Sequence, residues 1–201
     1  MKNKLTILLL SLCFTGFADA QQAEINLGIT TGQLCLEVTF KGEQVISASP
    51  LGMNIDHIDL GKSVCIKSVQ QRSAEYKTYT IEKKDGSVYY LDTREFNDGI
   101  ALRYRIPSTG SCCVYGEETS FTFPAGTRVW YASGPFQYGW IQAYQDRTTD
   151  KIENELLAPP ATFHLPNGMY AAITEANLFN FHGAVLFGCK DNRVQFGYVD
   201  N

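Results

Sequence analysis

An all-β sandwich is the fold this sequence predicts, and three observations carry the prediction. Apolar and polar residues alternate at period two in run after run. The runs are short and punctuated by Gly, Pro and Asn-Asp-Gly, and no amphipathic stretch exceeds about two helical turns. Aromatic residues reach 12%, with 11 Tyr and 12 Phe against 3 Met, a bias that suits pleated, half-buried surfaces. At 201 residues, 44% hydrophobic and 19% charged, the chain has the composition of one globular domain larger than an immunoglobulin sandwich.

Residues 1–20 are set apart from that fold. Lys2 and Lys4 precede an apolar run from Leu5 to Phe17, and Ala18-Asp19-Ala20 has the small-x-small form of a signal-peptide cleavage site. The run is too short for a membrane span, which needs about twenty apolar residues. Cys13 lies inside the run behind Leu12, without the small residue that lipidation at that cysteine would need. A periplasmic or secreted location is expected, with residues 21–201 as the folded domain.

The strands follow in order. Leu34, Leu36, Val38 and Phe40 alternate with polar neighbours over Gln33–Phe40, and Lys41-Gly42 turns the chain toward Val45 and Ile46. Tyr76–Ile81 and Ser87–Leu91 form a second hairpin, with Asp85-Gly86 expected to supply positive φ. Asn97-Asp98-Gly99, expected to need positive φ too, turns into a strand where Leu102, Tyr104 and Ile106 alternate with Arg103 and Arg105. Phe121 with Phe123, Val129 with Tyr131, and Val194 with Phe196 and Tyr198 repeat the signature. Densely charged Gln145–Glu155 reads as a loop or short helix ended by Pro159-Pro160, and Met169–Ile173 as a buried strand.

Charge and motif content narrow the function. The net charge of −4 with no basic run argues against a nucleic-acid partner. Nucleophile elbows, P-loops, zinc-protease and dinucleotide motifs are all missing from the sequence. Beyond the leader stand Cys35, Cys65, Cys112, Cys113 and Cys189, an odd set matching no zinc spacing and expected to act as buried apolar groups. Cys189 with His182 is a nominal nucleophile–base pair. His164 or His182 with Glu175 is a conceivable acid–base set for sugar-ring mutarotation. The aromatics from Trp130 to Tyr144, above all Trp140 and Tyr144, are candidates for stacking on sugar faces. Glu175 directly follows an apolar run; a carboxylate there is a surface acid, a cap or a metal ligand.

Five stretches carry a family resemblance: Ser49-Pro50-Leu51-Gly52; Glu95 to Tyr104; Phe121-Thr122-Phe123-Pro124 leading to Trp130; Pro159-Pro160 with Leu165-Pro166-Asn167-Gly168; and Ile173 to Leu178. In this order they resemble the amino-terminal domain of glycoside hydrolase family 97, secreted bacterial enzymes that include α-glucosidases and α-galactosidases. The resemblance implies a galactose-mutarotase-like β-supersandwich that precedes a catalytic (β/α) barrel carrying the catalytic carboxylates. It implies an oligosaccharide substrate and an active-site calcium, to which Thr174-Glu175-Ala176 would lend Glu175. Trp140-Ile141-Gln142 stands where many members have a Tyr-Glu pair, and the link between Cys65–Gln71 and Tyr76–Ile81 is short for the family. Further strands and the barrel follow in the family, so this chain is expected to be a partial, catalytically inactive product lacking the last strands of the sandwich. A stand-alone carbohydrate-binding module is the alternative.

Overall fold

The structure, a computed structural model, describes residues 23–107, 110–134, 143–176 and 183–198; the proposed leader lies outside them. Strands β1 (Ala23–Thr30), β2 (Gln33–Phe40) and β3 (Glu43–Pro50) form an antiparallel meander. In β2, Leu34, Leu36 and Val38 are buried as the alternation predicts, and Cys35 is buried with them. Val45 and Ile46 are both buried although adjacent, because the β2–β3 register slips there: Val38 faces Ile46 and Thr39 faces Gln44. One extra residue in a strand re-aims its neighbour.

Short β4 (Met53–Ile55) and β5 (Ile58–Asp59) precede a four-stranded meander. Its strands are β6 (Val64–Gln71), β7 (Tyr76–Lys83), β8 (Val88–Glu95) and β9 (Ile100–Arg105). Both predicted turns are present, but their backbones differ from expectation. Gly86 alone takes a positive φ (+83°) in the first, where Asp85 instead accepts the Ser87 N–H at 2.9 Å. In the second, none of Asn97, Asp98 and Gly99 takes a positive φ. That turn closes through Phe96 N–H to the Gly99 carbonyl at 2.7 Å.

The remaining strands are β10 (Val114–Glu117), β11 (Ser120–Thr122), β12 (Arg128–Ser133), β13 (Tyr144–Thr148), β14 (Leu156–His164), β15 (Tyr170–Ile173), β16 (Val185–Gly188) and β17 (Arg193–Gly197). A large sheet runs β1-β2-β3-β11-β17-β16-β14-β12-β13, with β15 beside β14, while β10, β4 and β5 make a small third sheet. β1 and β2 lie over β6, β8 and β9, so the large and four-stranded sheets pack face to face. Tyr79, Ile81, Tyr89 and Leu91 from one sheet and Ile25, Leu34 and Leu36 from the other close a continuous core. Phe123 stacks on Phe163 at 4.0 Å farther along it. Among the described residues there is no α-helix, and no helix is long and apolar enough to cross a membrane.

Three expectations need correction. Gln145–Thr148 is strand rather than loop: β13 is an edge strand whose charges face water, with Asp146 paired to Arg128 of β12 at 2.6 Å. Only Thr149–Lys151 is a 3₁₀ turn. Pro159 and Pro160 do not end an element but lie inside β14, between Leu156–Leu157, which pair with β16, and Ala161–His164, which pair with β15. A residue without an N–H is tolerated where the ladder is interrupted. β15 is half-exposed rather than buried, since it covers β14 on one flank only. The corner beside the 3₁₀ turn explains one glycine: a Cβ on Gly188 would come within 1.8 Å of the Ile152 carbonyl oxygen.

On the outer face of the four-stranded sheet, Asp92 is buried yet ionised. Burial pushes its carboxyl up, but hydrogen bonds from Arg105, Arg103 and Thr78 outweigh that and hold it well below the usual carboxylate range. A depressed folded-state pKa stabilises the fold above the unfolded value of about 3.9 and loses that contribution as pH falls toward the folded value. Asp92→Asn is therefore expected to lower the urea midpoint at pH 7, by a margin that shrinks at pH 2.5. Equal margins at both pH values would contradict this account.

Candidate functional site

Glu175 is placed by a hairpin. β14 ends at His164, and Pro166-Asn167-Gly168 turns the chain, with Gly168 at φ +87° and its N–H donated to the Leu165 carbonyl at 2.9 Å. Asn167 fixes the turn from both sides: its Oδ1 accepts the Met169 N–H, and its Nδ2 donates to Glu43 at 2.5 Å. β15 then carries the chain to Thr174 and Glu175. Glu175 is half-buried, and its Oε2 accepts the backbone N–H of Ala184 at 2.7 Å, just before β16. The carboxylate thus ties together two ends of chain that lie nine residues apart, in a fixed orientation.

A second carboxylate shares this neighbourhood. Burial pushes the Glu117 carboxyl up, hydrogen bonds from Thr119 and Tyr198 pull it back, and the negative charge of Glu175 pushes it up further. Tyr198 donates its phenol to Glu117 Oε2 at 2.8 Å; burial and then the charges of Glu117 and Glu175 push its own pKa up. Glu117 belongs to β10, and Tyr198 follows β17, so three separate segments meet beside Glu175. No spacing in the sequence links Glu117 or Tyr198 to Glu175, which is why both escape a motif-level reading. Among the described residues, no group of three or more His, Cys, Asp or Glu is placed to hold a metal ion.

The other predicted residues separate. His164 and Glu175 do not form an acid–base pair. His164 stacks on Tyr170 at 4.5 Å, at the start of β15, and Glu175 lies five residues farther along, about 17 Å at strand rise. His182 and Trp140 lie outside the described residues. Tyr144 is 69% exposed on edge strand β13, and the half-buried Trp130 lies 6.1 Å from both His164 and Tyr170. Burial pushes the Cys189 thiol up, which disfavours a thiolate nucleophile. Of the cysteines expected to be buried only Cys35 is; Cys65, Cys112 and Cys113 are exposed and Cys189 is intermediate. They fall on strand ends and loops that the core does not reach.

The comparisons with known proteins agree with this architecture. The family model described as Glycosyl-hydrolase 97 N-terminal matches residues 19–198. A probable retaining α-galactosidase of Streptomyces bingchenggensis is 27% identical over 189 residues, covering 81% of this chain and 28% of its own length. The retaining α-galactosidase of Bacteroides thetaiotaomicron is 25% identical over 222 residues, covering 92% and 33%. The chain thus spans about a third of the length of these relatives. A glycoside hydrolase family 97 enzyme of Pseudoalteromonas sp. strain K8, solved with panose, superposes with a TM-score of 0.75 at 21% identity over 87% of this chain and 30% of its own. A β-arabinopyranosidase superposes at 0.77, with 18% identity over 90% and 34%. At those identities the superpositions speak for the fold alone, an all-β sandwich. The match across nearly the whole described sequence makes the chain a member of the glycosyl hydrolase 97 N-terminal domain family.

Proposed function

We propose that this chain is the sandwich domain of a secreted, calcium-dependent glycoside hydrolase that acts on α-galactosides or α-glucosides. The observation that carries this reading is the family match over residues 19–198 in a chain spanning a third of its curated relatives. The basic and apolar leader with its Ala-Asp-Ala site supports export to the periplasm or beyond. The α-galactosidase names of the two relatives make an α-galactoside the first substrate to try. The domain packs on a catalytic (β/α) barrel, and the paired carboxylates that glycoside hydrolysis needs belong to that barrel.

The donor chemistry beside Glu175 suits calcium. A carboxylate oxygen is a hard ligand, and the Ala184 N–H on Oε2 presets its direction. Calcium takes six to eight oxygens, so Glu175 would be one ligand among several, the rest coming from the barrel. When bound, the ion would supply positive charge beside the scissile bond. This chain's part is to hold the Glu175 carboxylate in place.

The test is the size of the native polypeptide, by immunoblot of source cells against residues 21–201. A band several times the chain's 22.4 kDa is expected. Purified residues 21–201 are expected to leave a nitrophenyl α-galactoside unhydrolysed. A native band near the chain's own mass would overturn the barrel part of the reading. It would favour a stand-alone sugar-binding module, for which the 69% exposure of Tyr144 on an edge strand is the supporting observation.

A further inference from the structure

The outer face of the four-stranded sheet concentrates positive charge on a chain whose net charge is −4. Side chains of alternate residues line it in rows: Tyr76 beside Arg94, Thr78 beside Asp92 and Arg103, Tyr90 beside Arg105. Arg103 Nη2 donates to Asp92 Oδ2 at 2.8 Å, and Arg105 Nε donates to the same oxygen at 3.3 Å. Thr78 donates its hydroxyl to Asp92 Oδ1 at 2.9 Å and accepts Arg72 Nε at 3.5 Å. Two guanidinium groups thus converge on a single carboxylate that is only 4% exposed, and a third, that of Arg72, reaches the threonine beside it.

One buried carboxylate is balanced by one cation, so the face keeps an excess of positive charge. Arg103 and Arg105 remain 65% and 45% exposed despite their bonds to Asp92. Arg105 lies over the Tyr90 ring at 4.3 Å and Arg94 over the Tyr76 ring at 5.6 Å. A ring beneath a guanidinium restrains it while leaving donor edges free to turn outward. The other acid on this face, Glu82, is already paired with Lys67 at 2.6 Å.

We propose that this face is a binding surface for an acidic glycan, a polysaccharide bearing carboxylates, held by Arg72, Arg94, Arg103 and Arg105. Charge complementarity carries the proposal: guanidinium forks suit planar carboxylates, and Asp92 already shows that pairing on the same face. The choice of a glycan over another polyanion rests on the glycosidase reading above.

Titration calorimetry of the purified chain with polygalacturonate, in parallel with neutral dextran and single-stranded DNA, tests it. Polygalacturonate is expected to bind and dextran not to. Added salt should weaken the binding through screening. The double variant Arg72→Gln/Arg94→Gln spares both guanidinium bonds to Asp92, so the fold is kept, and it is expected to bind about ten-fold more weakly. Arg94→Gln alone, which removes only a ring contact, should weaken binding in the same direction. Absence of binding to polygalacturonate, unchanged affinity in the variants, equal binding of dextran, or DNA bound as tightly would overturn the proposal. The mass of the native polypeptide does not depend on these arginines, so failure here leaves the glycosidase reading standing, and a short native band would not erase measured binding.

Discussion

Replacing Glu95 by Ala is expected to destabilise the fold by about 3 kcal/mol, seen as a lower urea midpoint with an unchanged slope. Glu95 closes β8, is 3% exposed and reaches across the sandwich to accept the backbone N–H of Ile25 in β1 at 3.1 Å. Lys77 donates to both of its oxygens, at 2.9 and 3.0 Å. Its removal strands a mostly buried ammonium and a buried backbone donor together, and an unpaired buried group costs more than its bond contributed. Glu95→Gln keeps an acceptor for Ile25 and should lose less. A loss below about 1 kcal/mol in Glu95→Ala would show that water or a rearranged side chain replaces the carboxylate.

On the proposed reading of this chain as one domain of a longer calcium-dependent glycosidase, Glu175→Gln is expected to raise the calcium concentration needed for half-maximal activity of that enzyme by about 100-fold. The amide still accepts the Ala184 N–H, so the strand end keeps its geometry. What is lost is one negative charge among the hard oxygen donors. Thermal stability without calcium should stay close to that of the parent, whereas the stabilisation gained on adding calcium should shrink. Wild-type calcium dependence in the variant would reduce Glu175 to a structural cap, the blander of the readings its position allows.

Sequence and structure part company in physically specific places. The polarity of β13 hides a strand because an edge strand can place charges toward water on its outer face, and only its ladder with β12 reveals it. The Asp-Gly and Asn-Asp-Gly turns are legible, yet the backbone region each residue occupies is settled by the strands it joins. His164, at the end of β14, pairs with the first residue of β15, whereas Glu175 lies beyond the last, a separation that residue types alone do not encode. Glu117 and Tyr198 come to Glu175 from segments 58 residues before it and 23 residues after it in the chain.

By itself the sequence determined the class of the fold, most strand positions and the family. Those features are written in local periodicity and in contiguous motifs, which survive without knowledge of partners. Tertiary structure alone decided which sheet each strand joins, that Glu95 meets Lys77 and Ile25 in the core, and that Arg103 and Arg105 converge on Asp92. Each of these is a long-range pairing in which the free energy depends on which groups are desolvated together, and desolvation is a property of the assembled sandwich rather than of any segment.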